Sequence, residues 1–323
     1  MDTARISSMR TVAPIMRRMA DMAEMLSTAS RKVRPVNAPL WRNALFVAPY
    51  LFFFVTLLVV PLFWGIWLSL HKADAFTIGR FVGLTNYIRL FNDRIFIQSI
   101  WNTFYFVVLT VPPLAVIGLL LALALNRQTR TAAVLRTVFF ASSVLSVTIV
   151  TLVWRIVFIP NFGLLSTIYG WFGATAPAFL SNPDLVMIAI AIATIWWCIG
   201  LPMMLYLAAL QQIPGDIYEA AALDNASRWR TFRFITFPSI KRTFVLVVVI
   251  QIVLQFQLFG QAKLMSNGGP NNVSKPLVLY IYEAAFTKWD LGLGAAASEV
   301  LFVLILMAAM VQFLVSRRKG DAA

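Results

Sequence analysis

The sequence is poor in charged residues, in cysteine and in histidine. Asp, Glu, Lys and Arg make up 12% of the 323 residues, whereas 60% are hydrophobic; soluble domains carry about 25% charged residues. A mean hydropathy of +0.80 excludes a disordered chain. The single Cys excludes a disulfide scaffold, and the single His, His71, has no second His with which to form a metal site. The composition therefore predicts a polytopic integral membrane protein.

The sequence also lacks two features that would favour other functions. It has no Gly-x-x-x-x-Gly-Lys-Ser/Thr phosphate loop, so the chain is not expected to bind or hydrolyse ATP itself. The net charge of +14 does not come from one basic domain, because Lys and Arg lie between apolar runs. We therefore expect no nucleic-acid partner and explain the basic residues by membrane topology.

Six uncharged runs are long enough to cross a bilayer, which requires about 20 helical residues. They are Ala44–Leu70, Trp101–Leu125, Thr137–Trp154, Leu185–Leu210, Thr243–Ala262 and Val300–Ser316. The third run can extend towards Ile159, and the sixth can begin near Gly294. The predicted organisation is an N-terminal tail (1–43), a six-span domain (44–316) and a C-terminal tail (317–323).

Lys and Arg are unevenly distributed between the two sides of such a protein. With six spans, 19 of them fall on the side of both termini and 7 on the other, and the remaining one, Arg155, directly follows the third run. Positive residues favour the cytoplasmic side. The sequence predicts that both termini are cytoplasmic.

The loop 214–242 is the longest on the predicted cytoplasmic side, and a loop of this length is usually functional. Pro214 followed by acidic residues favours a helix start. Asn225 tolerates a left-handed conformation and is expected to end this helix. A second amphipathic helix is predicted over Ser227–Thr236, with apolar positions at Trp229, Phe232 and Phe234. Pro238 is expected to end it before span five. The alternative is a surface hairpin that merely connects two spans.

Two short motifs in this loop resemble the permease subunits of binding-protein-dependent ATP-binding-cassette (ABC) importers. Glu219-Ala220-Ala221 matches the start of that family's cytoplasmic signature, and Ile235-x-Phe237-Pro238 matches its end. Asn225 stands where the family usually has Gly, and Phe237 stands where it has Leu. Asn is the residue next most tolerant of positive φ, so the turn is expected to be kept.

Further motifs resemble the carbohydrate-type, MalF-like branch of this family. They are Leu210-Gln-Gln-Ile-Pro214, Asn267-Gly-Gly-Pro270, Tyr280-Ile-Tyr282 and, upstream, Phe81-Val-Gly-Leu-Thr-Asn-Tyr87. The resemblance covers roughly residues 44–316 and does not extend to residues 1–43.

The resemblance implies an all-α, type I importer permease in the bacterial inner membrane that is not itself an enzyme. It implies a heterodimer with a second permease, two ATPase subunits that use ATP and magnesium, and an external substrate-binding protein. The implied cargo is a sugar or oligosaccharide. Two alternatives stay open: a polyol or glycerol phosphate carried by the same family, and a stand-alone secondary transporter.

The resemblance also assigns roles in the loop 214–242, which we call the coupling loop. Its ATPase-coupling residues would be Glu219, Ala220, Ala221, Asp224, Asn225 and Pro238. Glu219 would contact the ATPase or neighbouring donors, and the two alanines would permit close approach.

Polar residues within spans predict the substrate path, because they are costly in a membrane unless functional or paired. Gln251 and Gln255 are four residues apart and share a helix face, whereas Gln257 points elsewhere. Trp197 in span four is a candidate stacking partner for a sugar. In the resembled branch, this part of span five lines the sugar site. The alternative is that the glutamines join helices through hydrogen bonds and that Trp197 only packs.

Arg155 and Glu299 are charged residues that fall near the predicted outer ends of spans three and six. Long side chains at this depth can reach the interface separately. As the alternative, an Arg155–Glu299 ion pair would form an outer gate.

Overall fold

The computed structural model describes residues 40–74 and 76–318, and side chains within 47–74 and 76–314. The predicted N-terminal tail, up to residue 39, and residues 319–323 of the C-terminal tail lie outside the described part. The chain divides into two compact units after Pro61. In the first, helix α1 (Leu40–Phe54) is followed by a π-helical turn, Val55–Val59. All other elements below belong to the second, apart from Val60 and Pro61 at the start of α2.

The described chain is almost entirely helical. The remaining α-helices are α2 (Val60–Ser69), α3 (Thr85–Asn92), α4 (Arg94–Leu125), α5 (Arg130–Ser142), α6 (Val147–Val157), α7 (Leu164–Trp171), α8 (Val186–Cys198), α9 (Gly200–Leu210), α10 (Gly215–Leu223), α11 (Arg228–Thr231), α12 (Phe237–Phe256), α13 (Gly260–Met265), α14 (Leu277–Tyr282) and α15 (Leu291–Arg318). Further π-helical turns span Phe232–Thr236 and Glu283–Thr287. Strands β1 (His71–Ala73) and β2 (Ile78–Phe81) form an antiparallel hairpin.

The longer helices form six membrane spans. Four are long and apolar enough to cross a bilayer alone: Val47–Ser69, Arg94–Ala124, Arg228–Phe256 and Leu291–Leu314. The pairs α5–α6 and α8–α9 pass the same test only together, so each is counted as one bent span. The predicted six-span, all-α fold is confirmed on this count.

Span three differs from the prediction because it is not one helix. It breaks between Ser142 and Val147, and α5 and α6 meet at 97°. Serine side chains can hydrogen-bond nearby backbone groups and so compete with the helix. Ser146 starts α6 in this way, since its Oγ accepts the N–H of Ile149 at 3.4 Å. The uninterrupted apolar run therefore concealed a sharp turn.

Span four bends by 42° at the same depth, and the two breaks are joined by hydrogen bonds. Ser143 Oγ donates to the Trp197 carbonyl at 3.0 Å, and the Trp197 indole N–H donates to the Leu145 carbonyl at 3.0 Å. Carbonyl groups at a break in a membrane helix need such partners, because lipid supplies none. Each break thus supplies hydrogen-bond donors for backbone carbonyl groups of the other.

Span five also differs from the prediction at both ends. The coupling loop's second helix does not stop before it: α11, the π-helical turn Phe232–Thr236 and α12 form one rod, Arg228–Phe256. Pro238 lies in the first turn of α12, where the π-helical turn leaves room for a residue without an N–H. The rod ends at Phe256 rather than Ala262, and Gln257 follows as its cap.

Two clusters of buried apolar side chains mark the two ends of the second unit. At the coupling end, the cluster contains Leu119, Ala122, Leu125, Ala132, Met203, Tyr206, Leu207, Leu210, Ile240 and Val247. At the opposite end, it includes Phe106, Phe158, Val186, Ile190, Leu258, Ala262, Met265 and Leu279. Spans two and four contribute to both clusters.

Hydrogen bonds tie the segments at the opposite end to one another. Arg89 pairs with Asp290 at 3.0 Å, and the Tyr280 hydroxyl donates to Asp93 at 2.7 Å. In the hairpin turn, the backbone N–H groups of Phe76 and Thr77 donate to Asp74 and lower the pKa of its carboxyl group. These bonds hold the start of span two against the start of span six.

Gly200 allows spans three and four to approach closely. A methyl group added at this position is therefore predicted to lower the stability of the chain. A Cβ there would lie 2.6 Å from the Phe139 carbonyl oxygen and 2.8 Å from Phe140 Cα. We expect Gly200→Ala to lower the free energy of unfolding by about 1–3 kcal/mol through overpacking. Thermal unfolding of the purified chain in nanodiscs measures this effect.

Gly170 provides the matched control, since a Cβ there would meet nothing within 4 Å. Gly170→Ala should leave the chain equally stable or slightly more stable. Equal melting temperatures for Gly200→Ala and wild type would contradict the packing described here.

Candidate functional site

The first helix of the coupling loop forms as the sequence predicts. Pro214 precedes α10, and Asp216 lies in its first turn. Asn225 follows its end with φ of 52°, in the left-handed region. The N–H of Ala226 donates to the Ala221 carbonyl, and that of Asn225 to the Ala222 carbonyl. This pair of bonds is a Schellman ending, so Asn225 performs the role that Gly often has.

A groove lies between this helix and the rod of span five. Its volume is about 450 Å³, and it is lined by Ile217, Ala220, Ala221, Asp224, Ala226, Arg230, Thr231, Phe234 and Ile235. The Tyr218 hydroxyl bonds Thr236 Oγ1 at 3.1 Å and ties α10 to the π-helical turn. The coupling loop is therefore a folded unit with a concave surface, not an open connection.

The predicted coupling residues are distributed around this groove. Ala221 is buried against it, while Ala220 and Asp224 line it from exposed positions. Glu219 is exposed, and neither ion pair found among the described residues involves it. Pro238 is exposed on span five beyond the groove. The exposed carboxylate of Glu219 is free to contact another subunit.

Sequence reasoning missed the exposed apolar residues of the coupling loop. Leu223 is 85% exposed, and Trp229 and Phe234 are also largely exposed. We expected the two aromatic residues on the apolar side of a helix, yet they point outwards beside charged neighbours. Exposed apolar groups of this kind mark a contact surface for another protein. The signal in the sequence that could have indicated this surface is the position of these residues in a loop with a coupling signature.

Gln251 and Gln255 lie together inside the second unit. They are 1% and 3% exposed, and the Gln255 amide donates to Gln251 Oε1 at 3.1 Å. Cys198, where span four bends, lies beside Gln255. The shared face is as predicted. Because the pair is enclosed in this conformation, a sugar could reach it only after the helices move.

The other two predicted path residues lie apart from this pair. Gln257 follows the end of span five and is exposed. Trp197 is half-buried, and its indole N–H is already used at the break in span three. Its observed role is therefore to join spans three and four.

Arg155 and Glu299 do not form the ion pair that the sequence suggested as a gate. Within the described residues, the ion pairs are Arg89–Asp290 and Lys275–Glu283. Arg155 lines an open cavity of about 560 Å³ at the end of α6. Glu299 instead faces Gly65 of α2, where an added Cβ would lie 3.0 Å from its Oε1. The two side chains thus face different neighbours.

The arrangement of the chain is that of a transport subunit. It has six spans, a folded coupling loop and polar side chains enclosed between helices. The family of binding-protein-dependent transport system inner membrane components matches residues 75–320. The chain belongs to this family, so it is an integral inner membrane permease of an ABC importer. In this family, ATP hydrolysis is the task of separate subunits. A permease of this family works with a partner permease.

Curated relatives of similar length support the same assignment. The trehalose/maltose permease protein MalF of Thermococcus litoralis is 30% identical, with 86% of this chain and 94% of the relative covered. The sn-glycerol-3-phosphate permease protein UgpA of Escherichia coli O157:H7 is 31% identical, with 87% and 95% covered. The resemblance to a carbohydrate-type permease is confirmed.

A solved structure has the same fold. A chain of a bacterial alginate ABC transporter, in complex with a periplasmic protein bound to an alginate pentasaccharide, matches with a TM-score of 0.77. The match covers 86% of this chain and 94% of that chain at 23% identity. At this level of identity, the likeness concerns the fold alone.

The left-handed conformation of Asn225 leads to a test of the coupling loop. Asn225→Gly should keep the helix ending, whereas Asn225→Val should destabilise it by about 1–2 kcal/mol, because a β-branched side chain is strained there. We expect the valine variant to weaken ATPase stimulation in the reconstituted importer, and the glycine variant to retain it. Equal stimulation in both variants would show that this turn does not matter for coupling.

Proposed function

We propose that this permease imports a sugar or a related polyhydroxylated solute that an external binding protein delivers. Support comes from the relatives named for trehalose/maltose and for sn-glycerol-3-phosphate transport, both polyhydroxylated cargoes. Neutral amides such as Gln251 and Gln255 suit hydroxyl groups, since each can donate and accept hydrogen bonds. A polyol or glycerol phosphate is the alternative cargo, favoured by the second of these relatives.

One observation supports the coupling mechanism above all others: the helix that leaves the coupling loop is the helix that carries the amide pair. The rod runs from Arg228 to Phe256. Thr236 and Gln251 are about 22 Å apart along it at 1.5 Å per residue. A displacement of the coupling loop therefore moves the amide pair directly.

In this mechanism, partner ATPase subunits bind ATP with magnesium, and this chain needs no cofactor. Their closure would move the groove of the coupling loop through Glu219, the two alanines and the exposed Leu223 and Trp229. Such a rigid-body change switches between two packings of the spans. It would expose the enclosed amide pair to the cargo in one state and close it in the other.

We further propose that both termini and the coupling loop face the cytoplasm, as the uneven distribution of Lys and Arg favours. A cysteine-labelling experiment tests this in a Cys198→Ser background. Thr175→Cys, in the exposed loop at the opposite end, should react with an impermeant maleimide on intact spheroplasts. Leu223→Cys should react only after lysis. The reverse pattern would overturn the orientation.

Removal of the Glu219 charge tests the coupling role. We expect Glu219→Gln to reduce ATP-driven uptake and substrate-stimulated ATPase activity at least tenfold in proteoliposomes that contain the complete importer. Asp216→Asn is the matched control, because Asp216 is an exposed acid one turn earlier on the same helix. It should retain uptake within about twofold.

Two results would contradict these proposals. Wild-type uptake without ATP would favour a secondary transporter, and equal losses in both variants would remove the special role of Glu219. Assembly of the complex, measured by co-purification of the partner permease and ATPase, must be intact in the variants for the comparison to hold.

A further inference from the structure

A lysine without an acidic partner lies just beyond the end of span five. Lys263 belongs to α13, the short helix that follows the rod. Lys263 is half-buried, and no carboxylate of the described residues lies within 4 Å of its amine, since the ion pairs there are Arg89–Asp290 and Lys275–Glu283. A half-buried ammonium group without a counter-charge is costly unless another group pairs with it.

Aromatic rings hold this amine in place. The Lys263 amine is 5.3 Å from the centroid of the Tyr282 ring, a cation–π distance. Tyr282 also packs against Phe259 at 5.2 Å and Phe286 at 5.5 Å between centroids. We call Phe259, Tyr282 and Phe286 the ring row. Tyr282 is 36% exposed and Phe286 is 60% exposed, so part of the row is open to a ligand.

The backbone beneath Lys263 is fixed. Ala262 and Met265 of α13 are buried in the opposite-end cluster, and the Gln261 amide donates to Thr194 Oγ1 at 3.4 Å. These residues face α6 and α8, and the side chain of Lys263 points instead to the ring row. The nearest acidic neighbour in sequence along α14 and its π-helical turn, Glu283, is occupied by Lys275 at 2.8 Å. Lys263 is therefore a preorganised cation with hydrogen-bonding capacity to spare.

We propose that Lys263 and the ring row form a binding site for the anionic group of an acidic sugar, a carboxylate or a phosphate. This inference rests on the proposed function and refines its cargo. A pyranose ring would lie against the exposed faces of Tyr282 and Phe286, and its anionic group would accept charge-assisted hydrogen bonds from the Lys263 amine. The exposed amide of Gln257, six residues before Lys263, is available for neutral hydroxyl groups.

The test uses the complete permease–ATPase complex in phosphatidylcholine nanodiscs without binding protein, so that any selectivity belongs to the permease. The probes are methyl β-D-glucuronide and methyl β-D-glucoside, which differ only in a carboxylate at one carbon, with glucose 6-phosphate as the phosphate probe. We expect the wild type to prefer at least one anionic probe tenfold in Kd, equivalent to about 1.4 kcal/mol. Lys263→Gln should remove the preference by weakening the binding of the anionic probe, and Lys263→Arg should retain the preference.

Lys288→Gln is the matched control. Lys288 is exposed directly after the π-helical turn that carries Phe286, and no ring contact involves it. This variant should keep the wild-type preference. If Lys263→Gln and Lys288→Gln lose the preference for anionic probes equally, general surface charge is its cause. This result would overturn the proposal.

Three further outcomes also count against the site. Equal binding of charged and neutral probes by the wild type, or no binding of any probe, contradicts an anion site at Lys263. A preference that disappears in phosphatidylglycerol nanodiscs would identify a lipid phosphate, not a sugar, as the anion at Lys263. None of these outcomes affects the importer function, which depends on the uptake and ATPase measurements with Glu219→Gln.

Discussion

Inside the hydrocarbon layer no water can satisfy a backbone N–H or C=O group. The hydrogen bonds at the breaks in spans three and four and the π-helical turn within span five follow from this constraint. The break in span three and the bend in span four exchange bonds through Ser143, Leu145 and Trp197. In span five, the π-helical turn before Pro238 accommodates a missing donor without ending the helix. A similar turn, Val55–Val59, precedes Pro61 in span one. Irregular backbone is thus retained only where local partners or extra room exist.

The continuity of span five gives these details a functional consequence. A helix that stopped at Pro238 would leave the coupling loop on a flexible connection. Because the helix continues, the groove beside Ala221 and the amide pair at Gln251 and Gln255 lie on one stiff element. Movement at the coupling loop can therefore reach the cargo region without being absorbed on the way.

Polar side chains in this protein divide into those that bond within the chain and those left open. Gln251, Gln255 and Gln261 are buried and bonded in the described structure. Lys263 and Glu219 carry charges that no acidic or basic partner within the described residues neutralises. In the first group, Gln251 and Gln255 bond each other within span five, and Gln261 joins α13 to span four. The second group lies where another molecule, an ATPase subunit at one end and a cargo at the other, can supply the missing partner.

The amino-acid sequence by itself determined the number of spans and the first coupling helix, because both depend on local properties. Uncharged length defines a span, and Pro214 with Asn225 defines where a helix can begin and end. It also placed Gln251 and Gln255 on one face through the helical repeat alone. The 97° turn in span three, the rod through Pro238, the separate neighbours of Arg155 and Glu299, and the position of Lys263 over Tyr282 required tertiary structure. Each depends on contacts between residues distant in sequence or on a π-helical turn, and neither hydropathy nor helical periodicity contains that information.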